Sequence, residues 1–491
     1  MVIIRKGLEK SMRKTKIICT LGPSTIKNNV VEKLIAKGMD VARFNFSHDT
    51  HELHKERLEE IRALSKKYNR HVAALLDTKG PEIRIRDFVD GKIILEKGQT
   101  FTLTTREVEG TQDIVSITYK NLPNDVQPGG EILIDDGLIG LEIKEIKDGT
   151  DIVCEVKNGG KISNKKGINV PGANLSMPFI SDQDRKDIVF GLTHDFDFIA
   201  ASFTRTADDI REIRKIMEAN EKTSTKIIAK IENMQGVENI DEIIEEADGI
   251  MIARGDMGVE IPNEEVPVIQ KMIIKKAINA GKEVITATQM LDSMIKNPRP
   301  TRAETADVAN AIYDGTGAIM LSGETAAGEY PVEAFETMAR IATRIENAID
   351  YRKRFDENGR NESHNVTAAI SHATVTTAHD LDAKAIITVT KSGRSARKIS
   401  KYRPNNDIIA CATSEKVCRQ LMLTWGVTPV RVEEASDVFE LFEHSIERAK
   451  EEKRLNDGEL VVITAGVPLG IPGQTNMIKV HTVGEGFEQK N

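Results

Sequence analysis

Eight short apolar runs constrain this chain more than any other feature. They lie at 16–20, 41–46, 72–76, 198–202, 226–231, 249–253, 283–288 and 318–321. Stretches at 28–37 and 51–67 carry helical spacing between the first three. Such alternation is the signature of βαβ units and a parallel sheet. Eight units is the count of a closed (β/α)8 TIM barrel, whose active sites lie at the C-terminal ends of the strands.

The texture changes at Gly80. From 92 to about 169 only strand-like runs appear, split by turn pairs such as Asp148-Gly149 and Asn158-Gly159. Such pairs are strong hairpin signals. They predict a small all-β insertion after the third barrel strand. After Tyr351-Arg352-Lys353-Arg354 the strand–helix alternation starts again, as a separate C-terminal α/β domain. The expected organisation is a barrel domain at 12–79 and 176–350, an inserted all-β domain at 80–175, and an α/β domain at 351–491. A chain of 491 residues fits about three domains.

Composition excludes several classes. The net charge of −8 argues against a nucleic-acid partner. No apolar run approaches the roughly 18 residues of a membrane span. The start, Met1-Val2-Ile3-Ile4-Arg5-Lys6, puts its charges after the apolar patch, unlike a secretory signal. Four scattered cysteines, with no C-x-x-C pair, read as reduced thiols. A cytoplasmic protein is expected.

Six of the eight runs end in polar or charged groups. The second delivers Arg43, Asn45 and Ser47 on one face, with Ala42, Phe44 and Phe46 on the other. The third ends in Asp77-Thr78, the fifth in Lys230 and Glu232, and the sixth in Arg254-Gly255-Asp256. The seventh ends in Thr288-Gln289 and the eighth in Ser322-Gly323-Glu324. One such residue fits an ordinary ion pair; six strands together fit an assembled site. Glu232 and Asp256, with oxygen ligands only, suit Mg²⁺. No histidine joins them, which argues against zinc. Asn45, Ser47, Asp77 and Thr78 offer one charge and several neutral oxygens, a weaker field that suits a monovalent cation. His48, His51 and His54 mimic a ligand cluster, but only His51 and His54 share a helical face and no carboxylate anchors them. His48 alone is expected to line the site. Neither G-x-x-x-x-G-K-[ST] nor G-x-G-x-x-G occurs, so phosphoryl chemistry needs another cradle.

In the C-terminal region a strand at 385–390 runs through Lys391-Ser392-Gly393-Arg394-Ser395 into a helix. Backbone N–H groups at a helix start favour an anion. A second loop, 466–473, is expected to close over the same pocket.

From about Arg13 onward the chain resembles the pyruvate kinase family. The motifs KTKIICTLGPS, ARFNFSH, LLDTKGPEIR, KKGINVPG, IIAKIEN, ARGDMGVE, ITATQML and MLSGETA carry the resemblance. It implies a glycolytic phosphotransferase that moves the phosphoryl group of phosphoenolpyruvate to ADP, giving pyruvate and ATP. By the resemblance, Glu232 and Asp256 hold Mg²⁺ (or Mn²⁺), and Lys230 neutralises charge on the phosphoryl group and the forming enolate. Arg43 grips the phosphoryl group. The backbone of Gly255 and Asp256 and the Thr288 hydroxyl hold the carboxylate, and Thr288 is a candidate in protonation of the enolate, with Ser322 and Glu324. Arg84, Lys166, His48 and Asn45 surround the nucleotide. Asn45, Ser47, Asp77 and Thr78 form a K⁺ site, and glutamate at 82 accompanies K⁺ dependence. Thr390, Lys391, Ser392, Gly393, Arg394 and Ser395 match a site for a phosphorylated effector, a sugar phosphate or AMP. A homotetramer is implied, without the extra phosphotransfer-like tail of some bacterial relatives. Lys230 and Glu232 are not expected to need each other: Glu232 spends its charge on the ion and leaves Lys230 for the phosphoryl group.

Two other readings compete. A barrel lyase using Mg²⁺ and a pyruvate enolate explains Glu232 and Asp256, but not the β lid, the nucleotide contacts or the K⁺ cluster. A catalytically dead sensor of sugar phosphates has no use for an intact Lys230.

Overall fold

The computed structural model describes residues 13–358, 365–435, 437–468 and 474–487. Eight strands close into a barrel in sequential order: Lys16–Thr20, Val41–Asn45, Ala73–Asp77, Phe198–Ala201, Lys226–Ile231, Gly249–Ala253, Glu283–Ala287 and Ala318–Leu321. Neighbours run parallel, for example Ile18 beside Val41 and Ile228 beside Gly249. Strands covered on both faces read as continuous apolar runs rather than alternating ones. Ile17, Ile18, Cys19, Ile227, Ile228 and Ala229 are fully buried accordingly. Helix starts are marked in the sequence. Thr301 caps Arg302–Asp314 in a capping box, its hydroxyl accepting from Glu304 N and its N–H donating to Glu304 Oε2.

The described residues fall into two compact units. One comprises the chain up to Leu76, His194–Ile199 and the chain from Ile274 onward; the other comprises Asp77–Thr193 and Ala200–Ile273. The second unit contains the inserted sheet, seven strands built mainly from antiparallel pairs around Phe101, Leu103, Ile132, Leu141 and Ile152. Asp148 and Gly149 both take positive φ, the conformation this hairpin turn requires, and join Ile139–Lys147 to Asp151–Val156.

Asn158-Gly159 does something else. The strand after it, Gly160–Ser163, leaves that sheet and pairs with Lys92–Leu95 in a separate two-stranded sheet. Asn158 Oδ1 accepts from Gly140 N at 2.7 Å, so its side chain extends the sheet edge. A Cβ at 159 would stand 2.6 Å from the Leu95 carbonyl oxygen. The glycine serves a close backbone crossing rather than a hairpin.

The first unit contains a five-stranded sheet in the order Val427–Arg431, Asp407–Ala412, Ala385–Val389, Leu460–Ala465, Met477–Thr482. Its first four strands are parallel and the last is antiparallel. No helix among the described residues is long and apolar enough to cross a membrane.

Candidate active site

The fifth barrel strand carries its polar residues where the barrel strands end. Lys230 Nζ lies 3.0 Å from Asp77 Oδ1, 2.6 Å from Ser202 Oγ and 3.1 Å from Glu232 Oε1. The ammonium has three donors, and a carboxylate, a hydroxyl and a second carboxylate stand within reach of them. Glu232 is buried and takes a further bond from Phe203 N at 2.5 Å. Lys230 and Glu232 need not pair for the expected division of labour, and here they do pair. They are adjacent same-face positions in a site with little water, and a buried charge seeks an opposite one.

Burial pushes the Glu232 carboxyl up to about 7; Lys230 pulls it down, and the negative charge of Asp256 raises it further. Asp256 lies in the first turn of helix Arg254–Glu260, directly after the sixth strand, with Gly255 beside it. Asp256 also lines a cavity of about 450 Å³, together with Glu82, Arg84, Asp136, Lys166 and Phe203.

Arg84 and Lys166 are 82 positions apart, yet strand pairing sets Gly167 opposite Arg84. Arg84 donates to Glu82 Oε2 at 2.8 Å and to the Lys165 carbonyl at 2.7 Å. Lys166 Nζ pairs with Asp135 at 2.8 Å. Glu82 therefore shares its charge with Arg84 and with Lys79 at 3.3 Å. Thr78 is buried; its hydroxyl donates to the Ala200 carbonyl and accepts from Ser202 N. Asp77 is thus Lys230's partner, whatever else it binds.

In the other unit, Arg43 Nη1 donates to Thr20 Oγ1 at 3.0 Å. Asn45 accepts from Ser47 N at 3.2 Å, and His48 is exposed. The seventh strand stops at Ala287, one residue before the expected end. Thr288 follows at φ +67, a costly conformation for a β-branched residue, and its hydroxyl donates to the Ala287 carbonyl at 2.6 Å. Backbone strain of this kind collects at functional sites. Glu324 is committed to backbone, accepting from Leu291 N at 3.0 Å and Ser322 N at 2.7 Å, and burial raises its carboxyl. The Ser322 hydroxyl is buried without a hydrogen-bond partner.

In the five-stranded sheet, Gly393 caps helix Arg394–Lys401 at φ +79, and its N–H donates to Thr390 Oγ1 at 3.0 Å. Lys391, Ser392 and Arg394 are exposed, and Ser395 Oγ sits 2.6 Å from Thr475 Oγ1. Of the second loop, residues 469–473 lie outside the described residues.

Several functional neighbours escape a reading of the sequence. Ser202 directly follows the fourth strand and touches both Asp77 and Lys230. Its signal was a lone serine closing the run FIAAS. Asp135 and Asp136 sit at positive φ in a turn that reads as an ordinary Asp-Asp-Gly bend. Burial and the charge of Asp256 raise the Asp136 carboxyl, which marks the two as electrostatic neighbours. Thr20 adds the first strand, so all eight barrel strands end in polar groups.

Comparison with known proteins identifies the family. The family model described as pyruvate kinase, barrel domain, matches residues 12–335. The one described as pyruvate kinase, alpha/beta domain, matches 368–481. A pyruvate kinase of Staphylococcus epidermidis is 52% identical over 475 residues, covering 96% of this chain and 81% of the relative. One from Staphylococcus aureus is 51% identical over the same span. A crystal structure of a pyruvate kinase from Cryptosporidium parvum superposes with a TM-score of 0.91 at 43% identity, covering 96% of both chains. On these matches, spanning both the barrel and the C-terminal sheet, the chain belongs to the pyruvate kinase family.

Proposed function

We propose that the chain transfers the phosphoryl group of phosphoenolpyruvate to ADP, giving pyruvate and ATP. The observation that carries this reading is the buried cluster of Asp77, Ser202, Lys230 and Glu232, with Asp256 lining the adjoining cavity. Phosphoryl transfer asks the protein mainly for positioning and charge neutralisation, and a buried ammonium among carboxylates supplies both. Arg84 and Lys166 give the same cavity the cations a nucleotide diphosphate needs. A lyase would have no use for them. A coupled assay tests the reading: pyruvate is expected from phosphoenolpyruvate only when ADP is present. Formation at an equal rate without ADP would reject it.

The donor set fits Mg²⁺. Glu232 and Asp256 are two carboxylates offering oxygens only, and the charge of Asp256 helps to raise the Glu232 carboxyl. They are the residues that would hold the ion, which when bound supplies charge neutralisation for substrate oxygens. Glu232, held near 7, must give up its proton to ligate a cation. Adding Mg²⁺ at about pH 6 is therefore expected to release most of one proton, and at about pH 8.5 almost none. Apparent affinity tightens as pH rises through about 7. The Glu232→Gln variant should show neither effect; release that does not vary with pH would contradict the assignment.

Asn45, Ser47, Asp77 and Thr78 are proposed as the K⁺ site, with Asn45 and His48 also facing the nucleotide. Activity is expected to fall when tetramethylammonium replaces K⁺; equal rates in both salts would remove the site. The loop Thr390–Ser395 is proposed to bind a phosphorylated effector, with Lys391 and Arg394 as exposed cations. The double variant Lys391→Ala, Arg394→Ala is expected to lose activation by sugar phosphates and AMP while basal turnover persists. An intact response to both would move the effector elsewhere. A homotetramer is proposed on family grounds.

A further inference from the structure

The histidines at 48, 51 and 54 bind no metal in this reading, yet one of them has a defined task. The segment Asn45-Phe46-Ser47-His48-Asp49 leaves the second barrel strand and turns into helix His51–Lys67. Ser47 and His48 point outward while Phe46 is buried. The Phe46 ring stacks on the His54 imidazole, with centroids 4.1 Å apart and 17° between planes. Phe44 and Phe196 meet the same pair edge-on. His54 is buried, and its Nε2 lies 3.0 Å from the carbonyl oxygen of His48. A carbonyl only accepts, so Nε2 carries the hydrogen. Burial pushes the His54 pKa down to about 4, which keeps the ring neutral in that tautomer near pH 7. Three residues along the same helical face, Arg57 Nη1 donates to Asp49 Oδ2 at 2.7 Å. Asp49 itself sits at φ +66, a conformation that needs holding.

His54 is a poor choice for stability alone. Its Nδ1 is buried with no hydrogen-bond partner. A buried unsatisfied polar atom costs free energy. Phenylalanine would keep the stack on Phe46 without that cost. What histidine adds is one directed N–H on the backbone of the turn.

We propose that His54 and Arg57 are positioning residues that fix the 45–49 turn so that Asn45, Ser47 and His48 meet the monovalent cation and the nucleotide. This rests on the assignment of that turn to K⁺ and ADP. The full-length protein and its His54→Phe, His54→Gln and Asn45→Ala variants are compared for half-activating K⁺, KM for ADP, KM for phosphoenolpyruvate and unfolding midpoint. His54→Phe is expected to raise half-activating K⁺ and KM for ADP about fivefold, the worth of one hydrogen bond. Its KM for phosphoenolpyruvate should stay unchanged and its midpoint be equal or higher. His54→Gln, whose amide donates to the same carbonyl, should restore K⁺ response toward the wild type. If Asn45→Ala weakens K⁺ and ADP but His54→Phe does not, the positioning role is wrong. If neither weakens them, the assignment of the turn fails, and the proposal with it. A His54→Phe protein that unfolds at a lower midpoint with unchanged K⁺ response also overturns it. If His54→Phe does not fold, Arg57→Gln is expected to give the same K⁺ and ADP shifts, and no shift there refutes the proposal.

Discussion

Lys230→Met is expected to cut kcat by about a thousandfold while Mg²⁺ and phosphoenolpyruvate still bind, because removal of one charged donor at a reacting oxygen costs on this order. The geometry explains why binding survives. Glu232 keeps its bond from Phe203 N, and Asp256 is untouched by the change. What disappears is the ammonium that Asp77, Ser202 and Glu232 share. Two buried carboxylates then lose the ammonium they share. In the absence of divalent ions the variant should lose about 3 kcal/mol of stability, the lower range for breaking a buried pair. Mg²⁺ should restore part of that, since a ligand bound by the native state stabilises it. Weakened binding with normal turnover per bound complex would contradict the division of labour between Lys230 and Glu232.

The second large effect lies away from the chemistry. Asp197, just ahead of the fourth barrel strand, is fully buried. It accepts from Ala74 N at 2.8 Å, Arg62 Nη2 at 2.9 Å and Arg419 Nε at 2.8 Å. Arg419 comes from helix Glu415–Leu421 beside the five-stranded sheet. Asp197→Ala leaves a backbone N–H and two guanidinium groups short of an acceptor. A loss of about 4 kcal/mol is expected from the denaturation midpoint. Asp195 is the control. It also pairs with Arg419, at 2.5 Å, but its side chain is 58% exposed. Water replaces what an exposed pair loses, so Asp195→Ala should cost about 1 kcal/mol or less. Similar losses in the two variants would show that burial does not set the difference.

The barrel was legible in the sequence because its strands are buried on both faces. The fifth strand, Lys226–Ile231, has the bounds its apolar run gives. Strand ends were less legible where the backbone changes conformation abruptly, as at Thr288, which leaves the strand at positive φ. The charged rim residues stood out because each interrupts an apolar run. Their partners did not. Asp77 and Lys230 are 153 positions apart, and nothing local says that Asp77 serves a lysine as well as a neutral-oxygen cluster. Ser202 was hidden by chemistry: a serine closing a strand is ordinary until Lys230 is known to lie 2.6 Å away. Asn158-Gly159 shows the limit of turn signals. The same dipeptide suits a hairpin and a close backbone crossing, and the partner strand decides between them.

The central claim is that the cluster around Lys230 moves a phosphoryl group directly between substrates. Phosphoenolpyruvate labelled in its phosphoryl group tests it when incubated with ADP, Mg²⁺ and K⁺. The label is expected in ATP, in equal amount to pyruvate, with the wild-type protein, and is expected to be nearly absent from ATP with Lys230→Met. Label released as inorganic phosphate, or transfer undiminished in Lys230→Met, would contradict the account.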